Sequence, residues 1–582
     1  MSRSTHPRAA APPGGIGWQS RCLVVLLLVL LAGQAVSSMR RKSVTTDEIM
    51  YIAAGAYHLG TGDFRLNMTN TPLMKMLSAL PLQFIGTELP PLDESPEKWS
   101  LTRQWQYSRE FLYDNVVDAD RILFAARLPI VLLAVVLGIY VFRWSAALFG
   151  PSAGLFSLFL FSFSPNILAH SRLATHDLGL AAFMFIATYY FWRYMSEPRL
   201  RTLIGCGVAT GLALLAKTTA IFLAPVFCAY VAISIIAGNG VGVNERFPFV
   251  DRIDSGNVRM RQALSSGYSL CIIGLITLLV LNIGYGFQGS FQPIPVPRPF
   301  LIMVAAQSRL VSNLSDFYFA GDLHSTGVWY LTVMSLLLKT PIPLLILIGA
   351  SLVVLARRWR TLEGEWLVVS FIVVVVLVFT FIVQSSVGLR YVLPIFPFMH
   401  VLAGSVWKSA RIHSHFAMGA VIVLSGWYLL SSARIYPHYI AYFNELIGGP
   451  ENGYRYLADS NLDWGQDLTG LSEYMKNNDV NHINLGYFGS ADARHYGISY
   501  DYLPSVGLVP KEEGQQWWYE ITEPAPRIHP QPELYAISAN LISSHGWMKP
   551  KFYEAYTEFR NREPDAKVGY SILIFDFTEP NE

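Results

Sequence analysis

Apolar runs of roughly membrane length alternate with polar stretches along most of this chain. A helix needs about 20 mainly apolar residues to cross a bilayer. Eleven segments fit that pattern: 19–38, 124–142, 152–169, 176–195, 202–216, 219–237, 266–284, 339–356, 366–384, 389–407 and 415–433. The first has a short apolar core, Cys22 to Gly33. Ala35, Val36 and Ser37 behind it would suit a cleaved signal peptide, whereas Gln34 and Ser38-Met39-Arg40 suit an anchor; both leave the next residues on one side. From Leu203 to Ala237 the only charge is Lys217. As one helix that run would be about 50 Å long, so the pattern predicts a tight hairpin broken at Lys217-Thr218-Thr219.

Between these segments lie two long polar loops, 39–123 and 285–338. Within the first, Asp93 to Asp120 is charged, and WSLTRQWQYSREFLYD interleaves Trp, Tyr and Arg as surface-lying helices do. The second carries PIPVPRP (293–299), then Asp316, Asp322 and His324. The segment 434–582 is polar and long enough for its own domain. Strand-like runs at 482–488, 534–540 and 570–577 alternate there with helix-like runs at 466–477 and 548–559, predicting a small α/β unit. The expected division is therefore a disordered tail (1–18), a membrane domain (19–433) and a soluble domain (434–582).

Composition agrees: the 582 residues are 52% hydrophobic and 14% charged, against about 25% charged in soluble domains. The fold class is a polytopic α-helical membrane protein of about eleven transmembrane helices with a C-terminal extracytoplasmic α/β domain. A formal charge of +2 gives no argument for nucleic acid. Cys22, Cys206, Cys228 and Cys271 all lie in apolar segments, so no disulfide framework or Cys-based metal site is expected. Arg and Lys in short loops set orientation. With the N-terminus cytoplasmic, the inside loops hold Arg3, Arg8, Arg21, Arg143, Arg193, Arg199, Arg201, Arg246, Arg252, Arg259, Arg261, Arg357, Arg358, Arg360, Lys408 and Arg411. The short outside loops hold mainly Arg172, Lys217 and Arg390. This places a multi-pass protein in the cell (inner) membrane with its C-terminal domain outside.

That orientation gathers ionisable residues from distant segments at the outer face. The stretch Thr45–Lys75 brings the acidic pair Asp47-Glu48, then Asp63, Arg65 and Lys75; other segments bring Arg172, His176, Asp177, Lys217 and Arg390. Each has an ordinary explanation: a helix cap for His176-Asp177, snorkelling for Lys217, a helix boundary for Arg390. Together they suggest a shared site. Nucleotides are cytosolic, so an activated sugar at this face would ride on a polyprenyl phosphate. Phosphate leaves readily, and the chemistry then needs one carboxylate base and cations for the departing charge. A single in-line displacement would invert the anomeric centre, whereas retention commonly uses a second carboxylate as nucleophile. Asp47 is the expected base, and Glu48 and Asp177 complete the catalytic candidates. Asp177 could position the base or acceptor, or bind a metal with it. Lys75, Lys217 and Arg390 are expected cations, and Arg65, Arg172 and His176 further substrate contacts. No cofactor is required; Mg or Mn would suit Asp47 and Asp177.

The ordered set TTDE (45–48), GDFRLN...TPLMKML (62–77), SPNILAHSRLATHDLGLAAF (164–183), GLALLAKTTAIFLAP (211–225), WYLTVMSLLLKTPIP (329–343) and GLRYVLPIFPF (388–398) resembles the lipid-linked C-type (GT-C) glycosyltransferases. Within them it is most similar to the protein O-mannosyltransferase-like group, glycosyltransferase family 39, with the lipid A aminoarabinose transferase as a cousin. The resemblance implies Asp47 as catalytic base with Glu48 as neighbour, Asp177 as the second acidic position, Lys75 holding the donor phosphate, and Arg390 beside Tyr391. It implies an undecaprenyl- or dolichyl-phosphate sugar donor, a bilayer setting, and a protein, lipid or glycan acceptor. Two departures stand out. The loop 285–338 is too short for the β-trefoil of the eukaryotic protein mannosyltransferases, and the C-terminal unit is extra to the core. Within that unit Asp459, Asn461 and Asp463 mimic the start of a calcium loop, but Trp464 stands where the glycine belongs and Gly470 where glutamate belongs; capping of a helix from near Gln466 is expected instead. The rival functions are a transporter or flippase of lipid-linked sugars, for which no internal repeat is found, and an assembly protein, which leaves the outward charges without a role.

Overall fold

The computed structural model describes residues 17–91, 99–236, 258–312, 317–324, 329–358, 364–383, 388–409, 414–506, 508–511, 514–517, 523–544 and 548–578. Most of the basic tail, residues 93–98 of the charged stretch, Asp316, and the orientation residues Arg246, Arg252, Arg360 and Arg411 lie outside them. The helices in chain order are α1 (Trp18–Met39), α2 (Thr46–Thr61), α3 (Pro72–Ala79), α4 (Leu101–Tyr113), α5 (Ala119–Phe149), α6 (Pro151–Ser162), α7 (Pro165–His170), α8 (Asp177–Ser196), α9 (Leu200–Ala216), α10 (Leu223–Ile236), α11 (Val258–Gly284) and α12 (Arg298–Ser312). A two-stranded ribbon, β1 (Phe317–Phe319) and β2 (Asp322–His324), precedes α13 (Leu331–Lys339), α14 (Ile342–Arg357), α15 (Glu365–Leu377), α16 (Leu389–Val392), α17 (Ile395–Ala403) and α18 (His415–Ile435).

These are not eleven uninterrupted spans. Among the described residues five helices are long and apolar enough to cross a membrane, or six if the pair α13–α14, bent by 110°, counts as one. The difference is local chemistry. The segment expected at 152–169 breaks into α6 and α7 ahead of Pro165, and 389–407 breaks into α16 and α17 at Pro394, because proline cannot donate to the preceding turn. The segment 366–384 ends in a π turn over Val378–Val383. At Lys217 the backbone becomes extended (φ −164°, ψ 140°), and a 3-10 turn, Thr218–Phe222, leads into α10. A helix, α4, does form after Trp99, and it buries Tyr107, Phe111 and Leu112.

Helix α5 organises the bundle. Its 31 residues span about 46 Å, and it packs against α1, α6, α8 and α17. Trp144 of α5 meets Phe185 of α8 at 5.0 Å and Phe398 of α17 at 5.7 Å between ring centroids. Phe398 in turn stacks on Phe371 of α15 at 3.9 Å.

Beyond α18 the chain builds α19 (Leu468–Asn477) and a five-stranded mixed sheet. Its strands are β3 (Ile483–Gly486), β4 (Tyr500–Tyr502), β7 (Leu534–Ser538), β8 (Ala566–Val568) and β9 (Ile572–Asp576), in the order β4-β3-β7-β9-β8; a separate hairpin holds β5 (Leu508–Lys511) and β6 (Gly514–Trp517). Strand β3 runs parallel to β4 and β7, with Leu485 opposite Ala536, and β9 runs antiparallel to β7 and β8. The unit is packed onto the membrane part: Ile49 and Ile52 of α2, Leu123 of α5, and Leu468, Leu485 and Ile574 share one buried cluster. Arg109 of α4 also pairs with Asp492 at 2.9 Å.

The start of α2 is held by a buried ion pair. Glu48 accepts from Thr45 N and Oγ1 at 2.9 and 3.0 Å, the reciprocal half of a capping box. Arg127 of α5 grips both carboxylate oxygens, at 2.8 and 2.6 Å, and Ala174 N donates to one of them at 2.8 Å. Arg127 also donates to the carbonyls of Met39, Lys42 and Ser43. Both side chains are at most 1% exposed. Breaking such a pair strands a charge and costs about 3–5 kcal/mol, whereas removing both charges costs far less. Arg127→Met is therefore expected to lower the thermal midpoint of the detergent-purified protein sharply, and Arg127→Met with Glu48→Gln to recover much of the loss.

Candidate active site

Glu48 faces Arg127, and the adjacent Asp47 faces the other way. Asp47 Oδ2 accepts from Arg390 Nη1 of α16 at 3.1 Å. A second pair lies beside it: Lys217 Nζ, at the extended break between α9 and the 3-10 turn, donates to Asp177 Oδ1 at the start of α8, at 2.7 Å. Lys217 Nζ also sits 4.3 Å from the centre of the Tyr391 ring, so adjacent residues of α16 link the two pairs. Asp177 acts electrostatically on both Asp47 and Arg390. Asp47 is 28% exposed and Arg390 18%, whereas Asp177 is 3% exposed. Asp47 is thus the carboxylate open to an incoming molecule.

Burial raises the Asp47 carboxyl above its ordinary value; Arg390 opposes that rise, and Asp459 and Asp177 add to it. Burial acts on Glu48 too, but Arg127 and the Thr45 and Ala174 hydrogen bonds outweigh it and keep that carboxyl low. The two neighbours therefore differ in kind. Glu48 is committed to the fold, and Asp47 is the carboxylate whose value burial raises.

The structure brings Asp47, Asp177, Lys217, Arg390 and Tyr391 together. His176 is close behind them: its ring packs edge-on against Tyr51 of α2 at 4.4 Å, and its Nε2 lies 3.1 Å from Thr71 O. Lys75 does not hydrogen-bond these groups. It is 1% exposed and donates to Asn67 O and Asn70 O, each at 2.9 Å, which folds the first loop back on itself. Burial holds its ammonium well below the ordinary lysine value. Gly55 admits this arrangement, because a Cβ there would stand 2.0 Å from Lys75 O. Arg65 lies at the surface, paired with Asp63 at 2.6 Å. Arg172 is fully buried, with Arg127, Asp467, Glu48 and Tyr439 acting on it electrostatically. Asp47 and Asp177, the carboxylates suited to Mg or Mn, each face a cation, and no group of three or more potential metal ligands converges among the described residues.

A narrow apolar cleft adjoins the charged pairs, lined among others by Leu180, Met184, Phe222, Val375, Phe379 and Tyr391. Tyr391 belongs to both the cleft and the charged site. A charged centre at the end of an apolar cleft suits an amphiphile with a polar head.

Residues 119–241, from α5 to just past α10, match the family model described as dolichyl-phosphate-mannose-protein mannosyltransferase. Over that segment the chain is similar to proteins of the protein O-mannosyltransferase type. The match carries two of the site residues, Asp177 and Lys217. No curated protein sequence matches the chain. Among solved structures, ArnT from Cupriavidus metallidurans bound to undecaprenyl phosphate is similar at 13% identity and a TM-score of 0.45, over 95% of this chain and 97% of that one. The Archaeoglobus fulgidus oligosaccharyltransferase is similar at 12% identity and 0.40, over 78% and 55%. The S. cerevisiae Pmt1-Pmt2 complex is similar at 16% and 0.32, over 53% and 39%. At such low identity and TM-score the chemistry of those proteins does not transfer to this chain.

Outside the matched segment, the C-terminal unit supplies neighbours that the sequence pattern did not reveal. The Trp464 ring lies 4.7 Å from the Arg390 guanidinium carbon, and Asp459 acts electrostatically on Arg390 and Asp47. The calcium-like residues diverge. Asn461 Oδ1 accepts from Leu389 N at 3.0 Å, whereas Asp463 accepts from Gly465 N at 3.0 Å. Gly388 takes φ +74° and ψ −138°, and a Cβ there would stand 2.3 Å from the Asn461 amide. A side chain at 388 would push Asn461 off the backbone that carries Arg390. Gly388→Ala is expected to lose at least about 1–3 kcal/mol from backbone strain alone, seen as a lower thermal midpoint, together with weaker binding of any ligand that uses Arg390.

Proposed function

We propose that this protein is a membrane glycosyltransferase that moves a sugar from a polyprenyl-phosphate carrier to an acceptor hydroxyl, with Asp47 as general base. The observation that supports this reading best is the pairing of an open carboxylate, Asp47, with Arg390 beside the Lys217–Asp177 pair, at the end of an apolar cleft. The family description matched over residues 119–241 names the same chemistry, a sugar on a polyprenyl-type phosphate. No observation in the site favours transport of such lipids.

In this reading the carrier phosphate draws on Arg390 and Lys217, and the isoprenoid lies along the cleft. The acceptor hydroxyl gives its proton to Asp47 as its oxygen bonds to the anomeric carbon. The bond from that carbon to the phosphate oxygen breaks, and the electron pair leaves with the polyprenyl phosphate, whose charge the two cations hold. Attack opposite the leaving phosphate inverts the anomeric centre. Asp177 keeps Lys217 in place; Glu48 keeps Asp47 in place and takes no proton itself. Lys75 shapes the first loop from behind. The Arg and Lys distribution supports a site at the extracytoplasmic face.

Asp47→Asn in detergent, offered a panel of polyprenyl-phosphate sugars with native membrane acceptors, is expected to lose about 10²–10⁴-fold in turnover while retaining its thermal midpoint and its binding of polyprenyl phosphate. Unchanged turnover contradicts the assignment. The pH profile gives a separate check. A base works when ionised, and the Asp47 carboxyl is raised, so kcat/KM should begin to fall, as pH is lowered, at a pH above the ordinary aspartate value of about 3.9. Arg390→Gln removes an opposing positive charge, and should move that acid limb higher still.

A further inference from the structure

The run DSNLDWGQD, residues 459–467, enters the site from the C-terminal unit, and no part of the chemistry above uses it. We propose that this run is a working part of the site, and that Trp464 is a positioning residue that holds Arg390 where it meets both Asp47 and the carrier phosphate. The inference rests on the glycosyl-transfer reading and adds a residue from outside the membrane helices to it.

Trp464 touches both sides of the Asp47–Arg390 pair. Its carbonyl accepts from Thr46 N at 2.9 Å and from Thr46 Oγ1 at 3.1 Å, immediately before Asp47. Its ring lies against the Arg390 guanidinium, 4.7 Å from Cζ. Arg390 Nε is buried with no hydrogen-bond partner among the described residues, so the ring face and Asp47 set the guanidinium plane. The indole itself is 2% exposed and has no freedom to drift. The run is pinned at both ends. Asn461 accepts from Leu389 N, next to Arg390, and its carbonyl accepts from the buried Lys339 of α13. At the other end Ser43 N donates to Gln466 O at 3.1 Å, and Ser43 Oγ donates to Gly465 O at 3.1 Å. Asp459 adds a third carboxylate beside the pair, on a left-handed backbone (φ +57°) whose N–H is taken by Asn540 Oδ1 at 2.6 Å. Such backbone is uncommon outside glycine and concentrates at functional sites. A cation held against an indole keeps its charge and its plane, both of which a phosphate can use.

The test is a double-mutant cycle on the full chain in detergent, with undecaprenyl phosphate as the probe and sugar transfer as a second readout. Trp464→Leu is expected to weaken binding of the lipid phosphate about tenfold, and Trp464→Phe, which retains an aromatic face, to recover most of it. In an Arg390→Gln background the leucine change should add almost nothing, because its effect runs through Arg390. If Trp464→Leu does not fold, the smaller loss in Trp464→Phe must vanish in Arg390→Gln in the same way. Equal losses in both backgrounds, or no loss in either, would mean an ordinary core tryptophan and overturn this inference alone. A wild-type protein that neither binds the lipid phosphate nor transfers sugar overturns the proposed function and this inference with it.

Discussion

Glu48 and Arg127 meet where the end of α1, the start of α2, α5 and the loop before α8 converge, and neither charge could stay buried without the other. Their pairing fixes the rotation of α2 about its axis. Successive residues on a helix differ by about 100°, so locking Glu48 inward turns Asp47 toward Arg390. One residue of the acidic pair therefore holds the position of the other.

The same economy of charge runs through the site. Asp47 with Arg390 and Asp177 with Lys217 are close pairs in apolar surroundings, where an isolated charge would be costly. Their cations come from elements far apart in sequence, α16 and the break after α9, so the site exists only when the helices are assembled. A phosphate entering there finds two cations already desolvated, and it competes with carboxylates for them. Arg390 joins these parts: it pairs with Asp47, lies on Trp464 and, in the proposed reaction, contacts the carrier.

Much of this was legible in the sequence because charges in a long apolar chain are rare enough to notice. Asp47, Asp177, Lys217 and Arg390 are conspicuous at the ends of apolar runs, and the break at Lys217 followed from helix length alone. The strand-forming runs beyond residue 434 reappear as β3, β7 and β9. Other features were hidden. Whether an apolar run is one helix or two depends on where a proline falls relative to its neighbours, as at Pro165 and Pro394. Lys75 resembles a substrate cation in sequence, yet its ammonium is spent on loop carbonyls, which only the folded backbone brings into place. Glu48 could not be told from Asp47 without Arg127, 79 positions away. Trp464 looked like a spoiled calcium loop; its relation to Arg390 is one of space and leaves no local pattern.

The most direct measurement is an experimental structure of the protein with undecaprenyl phosphate bound. The phosphate is expected on Arg390 and Lys217, the isoprenoid along the cleft beside Tyr391, and Asp47 facing the side from which an acceptor enters. A phosphate bound elsewhere, or an Asp47 remote from Arg390 and Asp177, would contradict the proposed function.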